Sequence, residues 1–120
     1  MKVAITASGA SLDAPLNPRF GRAAQFIVVD SETGAFRVHD NTPNLNAAQG
    51  AGIQAAETVS QLGVEVVITG HCGPKAFRAL QAAGIQVVTG ATGTVRDALA
   101  QFQKGKLKPA TSADVEGHWA

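Results

Sequence analysis

Short apolar runs rich in β-branched residues alternate along the chain with polar segments that contain glycine and proline. Such runs are typical of strands buried in a sheet. Three longer stretches instead place apolar residues at helical spacing. The pattern predicts five strands, at residues 3–6, 26–30, 35–40, 64–68 and 85–88, and three helices, at about residues 47–62, 74–83 and 95–104.

Residues suited to helix ends mark the predicted helix boundaries. Pro74 stands where the first residue of the second helix is expected, a position at which the missing N–H costs no hydrogen bond. Thr94 and Asp97 have the spacing of a capping box at the start of the third helix. A glycine that can adopt a left-handed conformation follows each helix, at Gly63, Gly84 and Gly105.

The predicted element order, β-β-β-α-β-α-β-α, indicates an α/β fold. A short polar turn ending at Gly34 predicts a hairpin between the second and third strands. The last two βα units favour parallel strands with right-handed crossovers. We therefore expect a mixed five-stranded sheet of order 3-2-1-4-5, with strand 2 antiparallel and helices on both faces. Strands 1 and 4 are then neighbours whose connections leave in opposite directions, which is where α/β sheets bind ligands.

Two irregular segments follow these central strands. The loop from Ser8 to Gln25 leaves strand 1, and the turn from Gly70 to Pro74 leaves strand 4 and leads into a helix. Amide groups and the helix dipole make such a helix N-terminus favourable for anions. Both segments are expected to open on one crevice. Because the first loop is long and polar, it is also expected to be poorly ordered without a ligand.

Composition narrows the class of protein. The chain has 120 residues, is 45% hydrophobic and carries a formal net charge of +1, so it is not expected to bind nucleic acid through a basic face. No apolar run approaches the ~20 residues of a membrane span. The single cysteine, Cys72, fits a reducing compartment, and we expect a cytoplasmic protein. One domain is expected over residues 1–105, followed by a tail at 106–120.

Several segments together resemble one family. They are KVAITAS at residues 2–8, NPRFGRA at 17–23, DNTPN at 40–44 and ITGHCGPKAF at 68–77. These segments are similar to those of the dinitrogenase iron–molybdenum cofactor biosynthesis family, and most of all to its stand-alone members. The resemblance implies a ribonuclease-H-like three-layer fold and the binding or transfer of metal–sulfur clusters, including a molybdenum–copper sulfide. Some relatives have cysteine after the PRFGR motif. Ala23 and Ala24 stand here instead, so iron–sulfur ligation from this loop is not expected.

Nine residues are candidates for cofactor binding. Guanidinium groups suit an anionic cluster, and a thiolate suits copper(I), which makes Cys72, with His71, a candidate metal ligand. The alternatives are solvated arginines, a cysteine that only fills space, and a histidine that caps the turn. The candidates are Arg19, Phe20, Gly21, Arg22, Asn41, Gly70, His71, Cys72 and Gly73.

The favoured function is non-enzymatic binding or carriage of an anionic, molybdenum-containing metal–sulfur cluster between the loop of residues 8–25 and the turn of residues 70–74. The expected partners are the cluster and a protein that donates or accepts it, without nucleotide, nucleic acid or membrane. One cysteine with one or two histidines falls short of the four ligands of a structural zinc site. A cluster whose sulfide completes the metal coordination needs fewer protein ligands.

Two other functions stay open at this stage. The chain contains a match to the sequence motif of cysteine-dependent phosphatases, formed by His71, Cys72 and, after five residues, Arg78. However, Pro74 lies inside that loop and has no N–H to offer a phosphate. The second alternative is a metal-free module that uses the crevice to bind another protein. A two-metal nuclease is excluded, since the first strand carries no carboxylate and the aspartates share no spacing.

Overall fold

A computed structural model describes residues 1–43, 51–107 and 109–110. It contains the five strands and three helices that the sequence predicts. The strands are β1 (Lys2–Ala7), β2 (Gln25–Asp30), β3 (Phe36–Asp40), β4 (Val66–Ile68) and β5 (Gln86–Val88), and the helices are α1 (Ala51–Gln61), α2 (Pro74–Ala82) and α3 (Val95–Gln103).

The strands form one sheet of order β3-β2-β1-β4-β5, which confirms the predicted topology. β1 pairs antiparallel with β2 and parallel with β4, while β2–β3 is antiparallel and β4–β5 is parallel. The central position of β1 explains its apolar sequence, because both of its faces are covered by protein. The switch point between β1 and β4 is present as expected.

Two hydrophobic clusters lie on opposite faces of the sheet. Ala4 of β1 belongs to the cluster beneath α1 and α2, and its neighbours Val3 and Ile5 belong to the cluster beneath α3. This alternation follows from the two-residue period of a strand. Helices therefore cover both faces, as predicted. No helix among the described residues has the length and apolar character needed to cross a membrane.

The helix ends follow the sequence signals. Thr94 Oγ1 accepts a hydrogen bond from the Asp97 amide at 3.1 Å, and Asp97 Oδ2 accepts one from the Thr94 amide at 3.0 Å, which completes the capping box. Hydrogen bonding to the Thr94 amide lowers the pKa of Asp97. The glycines after the helices have positive φ angles of +74°, +75° and +73°, at Gly63, Gly84 and Gly105 respectively.

Some expectations fall wholly or partly outside the described part of the chain. The predicted first helix begins at about residue 47, and the described part of α1 begins at Ala51. Residues 44–49 of the second loop, and His118 with Trp119 in the tail, also lie outside it. In the described part of the predicted tail, Pro109 forms an isolated antiparallel bridge with Val88 of β5. The chain thus runs beside the β5 edge past residue 105.

Candidate functional site

The loop between β1 and β2 has two halves with different attachments. The first half, residues 8–16, lies against the N-terminus of α3. The amides of Val95 and Arg96, the first two residues of α3, donate to the carbonyls of Ala14 and Leu12 at 2.9 and 2.8 Å. The exposed Asp13 carboxylate also accepts a hydrogen bond from Arg96 Nε at 3.0 Å, and this contact raises the pKa of Arg96. This half of the loop is therefore part of the α3 packing.

The second half, residues 17–22, runs beside the turn between β4 and α2. The His71 amide donates to the Pro18 carbonyl at 2.7 Å, and the Phe20 amide donates to the His71 carbonyl at 3.2 Å. Arg19 and His71 thereby form a parallel bridge. The two segments that the sequence expects to share a crevice are thus in direct backbone contact.

The close approach of these segments explains Gly70. A Cβ atom at this position would lie 2.8 Å from Pro18 Cα and 2.9 Å from the Pro18 carbonyl oxygen. Contacts this short with backbone atoms force the backbone to move. Gly70 is therefore required by the neighbouring protein segment, whereas the sequence suggested it only as a candidate for cofactor binding.

Asn17 shapes the start of the arginine-containing turn. Its amide donates to the Thr6 carbonyl at 3.0 Å, and its side-chain Oδ1 accepts from the Arg19 amide at 3.0 Å. The Thr6 hydroxyl lies 2.7 Å from the Asn17 carbonyl oxygen. The segment is thus tied to the C-terminal end of β1 and also braced internally.

A single helical turn of 3-10 type, Phe20–Arg22, contains Arg22 and has Arg19 as its N-cap. Phe20 is fully buried, and its ring packs against Phe26 of β2 with centroids 5.8 Å apart. Arg19 and Arg22 flank this anchor and are partly buried. Anchoring by Phe20 fixes the backbone of both arginines beside the turn after β4.

The N-terminus of α2 differs from that of α3. Gly73 is its N-cap in an extended conformation and Pro74 is its first residue, with no side-chain cap. The Phe77 amide makes the first helical bond, to the Gly73 carbonyl at 2.9 Å. The amides of Lys75 and Ala76 precede that bond and, by helix geometry, have no acceptor within the helix. At α3 the corresponding amides are occupied by the loop and by Thr94, so α2 offers the better anion site.

Three candidate residues have buried side chains. Cys72 is fully buried in the cluster beneath α1 and α2, with Sγ 3.7 Å from the Gly73 carbonyl oxygen. Asn41 is 2% exposed, and its Nδ2 donates to the Ala23 carbonyl at 2.8 Å. Phe20 is the core anchor already described. Burial favours a supporting role over ligand contact for all three.

The side chains of the site suit an anion better than a bare metal ion. In the described ranges, no group of three or more His, Cys, Asp or Glu side chains is placed to hold a metal. The turn that leads into α2 supplies the half-buried His71 imidazole and backbone amides, and the segment bridged to this turn carries the guanidinium groups of Arg19 and Arg22. These are hydrogen-bond donors, which fit the sulfide or oxide surface of a cluster that carries its own metal coordination.

Sequence reasoning missed the residues that connect the two segments of the site. Thr6, Thr69, Asn17 and Pro18 hold the two segments together, and none was a candidate. A signal was available, because β1 and the segment containing β4 both end in Ile-Thr followed by a small residue. Parallel register sets Ile5 beside Ile68, which brings the two threonines together one step further on.

The fold and the site define a small α/β protein with donor groups gathered at the switch point of its sheet. A family model described as dinitrogenase iron-molybdenum cofactor matches residues 1–105. The chain belongs to this family, which confirms the resemblance found in the sequence.

Individual relatives agree with the family assignment. The apo form of the orange protein from Desulfovibrio gigas is 45% identical, with 95% of this chain and 96% of that chain covered and a TM-score of 0.93. A NifB-like protein from Thermotoga is 36% identical, with 97% and 98% covered and a TM-score of 0.83. An uncharacterized protein of Methanocaldococcus jannaschii is 31% identical over 78% of this chain and 80% of its own. The family and the similarity to the orange protein support a role in carrying a metal cofactor.

Proposed function

We propose that this protein binds and carries an anionic metal–sulfur cluster in the crevice between residues 17–22 and 70–74. The observation that carries the proposal is the parallel bridge between Arg19 and His71. It brings the segment that carries Arg19 and Arg22 against the turn that leads into α2, and the dipole and first amides of that helix favour negative charge. A protein of net charge +1 has little global field, so this local arrangement supplies the attraction.

The proposed cargo contains molybdenum, with a molybdenum–copper sulfide as its specific form. Arg19 and Arg22 bind its outer atoms, together with His71 and the amides at the start of α2. Phe20, Gly21, Asn41 and Cys72 support these groups from the protein interior. The cluster is received from or passed to another protein, and no chemical transformation by this chain is required.

The phosphatase alternative fits the geometry poorly. A cysteine nucleophile must reach the substrate, but Cys72 is fully buried. Arg78 lies exposed on α2, beyond the turn that would enclose a phosphate. An assay with an aryl phosphate tests this alternative directly, and turnover that Cys72→Ala abolishes would revive it.

Titration of tetrathiomolybdate and copper(I) into the apo protein, followed by visible absorption, tests the proposal. A hydrogen bond to a charged group contributes about 1.5–3 kcal/mol. Arg19→Ala and Arg22→Ala should therefore each weaken binding by roughly tenfold to a hundredfold. The double variant should fail to form the coloured complex at concentrations that saturate the wild type.

Arg37→Ala is the matched control, because it removes the same charge from an exposed position in edge strand β3. It should bind like the wild type if the attraction is local. Full affinity in the double arginine variant would remove the main support for this site. Equal weakening by Arg37→Ala would point instead to the overall charge.

A further inference from the structure

Two buried threonine hydroxyls lie directly beneath the site. Thr6 in β1 and Thr69 just after β4 are both fully buried, and their Oγ1 atoms are 3.0 Å apart. Thr6 Oγ1 is also 2.7 Å from the carbonyl oxygen of Asn17, where the arginine-containing segment begins. The three groups form a hydrogen-bonded series that runs from the centre of the sheet to the loop.

The direction of donation along this hydrogen-bonded series follows from counting protons. Each hydroxyl has one proton to donate, and the Asn17 carbonyl can only accept. Thr6 therefore donates its proton to Asn17, because no other arrangement satisfies that short contact. Thr69 must then donate to Thr6. The order is Thr69 to Thr6 to the Asn17 carbonyl, and hydrogen bonds in such a series strengthen one another.

We propose that Thr6 and Thr69 are positioning residues that hold the segment of residues 17–22 in its binding conformation before any ligand arrives. The effect on ligand binding rests on the proposed function, whereas the positioning of the loop does not. The threonines join the ends of the two central strands to Asn17. The carbonyl of the next residue, Pro18, accepts a hydrogen bond from the His71 amide. Arg19 follows immediately, so the threonines act on the arginine turn through the backbone.

Such an arrangement favours tight binding because the loop is ordered in advance. Ordering a flexible segment on binding costs conformational entropy, and a segment that is already fixed avoids that cost. Loss of the threonine hydroxyls should therefore weaken binding even though neither side chain is exposed to the ligand.

Amide hydrogen exchange in the apo protein, resolved by residue, tests the positioning without any cluster. The reporters are the amides of Phe20 and His71, which bond across the two segments, and the amide of Asn17, which bonds to the Thr6 carbonyl. Thr6→Val removes both hydrogen bonds of the series from Thr69 through Thr6 to Asn17. It should speed the exchange of the reporter amides at least tenfold, on the order of what the loss of one such bond implies. Thr69→Val leaves the bond from Thr6 to Asn17 intact and should have a smaller effect. Thr6→Ser and Thr69→Ser keep the hydroxyls and should restore slow exchange.

Val29→Ala is the control for general destabilisation, since Val29 is fully buried beside Val3, towards the opposite end of β1 from the site. It should not selectively speed the three reporter amides. Unchanged reporter exchange in both valine variants would overturn the positioning role, and equal acceleration in both would overturn the proton order. If Thr6→Val does not fold, Thr69→Val with its serine rescue decides the positioning role.

Titration with tetrathiomolybdate and copper(I) tests the consequence for binding. Affinity should fall in the order wild type, Thr69→Val, Thr6→Val, with the serine variants close to wild type. Unchanged affinity in both valine variants, when the wild type binds, would overturn the role of these residues in the site. If the wild type itself takes up no cluster, the proposed function fails, while hydrogen exchange still decides whether the threonines fix the loop.

Discussion

Neighbouring residues in the turn after β4 have different roles. His71 is half-buried, and its backbone accepts from and donates to the opposite segment, so it joins the two loops. The next side chain, Cys72, points into the protein and is fully buried among apolar residues. A thiol of this kind behaves as a small hydrophobic group. The chemically distinctive pair in the sequence thus separates into one residue at the surface of the site and one beneath it.

Replacing Cys72 by serine distinguishes packing from ligation. Because a hydroxyl is harder to bury than a thiol, Cys72→Ser should lower the free energy of unfolding by about 1–3 kcal/mol, measured by denaturant titration. Binding of tetrathiomolybdate and copper(I) should stay near the wild-type level. Cys72→Ala is the companion variant, since it removes the sulfur without adding a polar group. Loss of the visible bands in both folded variants would show that Sγ binds copper.

The helices α2 and α3 show how similar elements acquire different uses. Both begin after a turn from a parallel strand, and both have donors in their first turn. At α3, Thr94 and the carbonyls of Leu12 and Ala14 occupy those donors. At α2, glycine and proline provide no side-chain cap. The loop after β1 thus closes the N-terminus of α3, while its second half pairs with the turn that leads into α2.

The spacing between the loop and the α2 turn is tested by adding one methyl group. Gly70→Ala would place Cβ within 2.8 Å of Pro18 and should force the segments apart. We expect a loss of stability of about 1–3 kcal/mol, as for other overpacked sites, together with weaker cluster binding. Denaturant unfolding and the cluster titration measure the two effects.

Gly9→Ala serves as the comparison, because its Cβ would meet the Ala14 side chain at 3.1 Å in the other half of the loop. It should leave cluster affinity unchanged. If Gly70→Ala binds as tightly as the wild type, the contact between Pro18 and Gly70 does not set the geometry of the site.

Across the whole molecule, the regular elements were predictable and the loop contacts were only partly so. Apolar runs and the βα order determine the sheet, because burial and crossover handedness leave few arrangements. The same reasoning predicted that Arg19 and His71 lie at one crevice. It did not reveal the division of the 8–25 loop, since the hydrogen bonds that the Leu12 and Ala14 carbonyls accept from α3 are backbone contacts without a side-chain pattern. Those bonds and the buried Phe20 lead us to expect more order in this loop than its polar composition indicates.

The pH dependence of folding should also reflect local contacts, because the overall charge is close to zero. In the part of the chain that the structure describes, three carboxylates have a lowered pKa, chiefly through hydrogen bonds from backbone amides. Asp30 accepts from the Glu32 amide, Asp40 accepts from the Thr42 amide, and Asp97 accepts from the Thr94 amide. Each bond favours the ionised form in the folded protein, so each carboxylate binds its proton more readily when the chain unfolds.

The contribution of these carboxylates to the free energy of unfolding should therefore be complete above their ordinary pKa of 3.8. It should be lost as the pH falls below 3.8 and through the lowered pKa values of the folded protein. Denaturant unfolding at a series of pH values measures this decline. Asp97→Asn is the decisive variant, because its amide oxygen can still accept from Thr94 but cannot titrate. Its stability should fall less steeply in acid than that of the wild type. Parallel curves for the two proteins would show that the capping carboxylate does not contribute to the acid dependence.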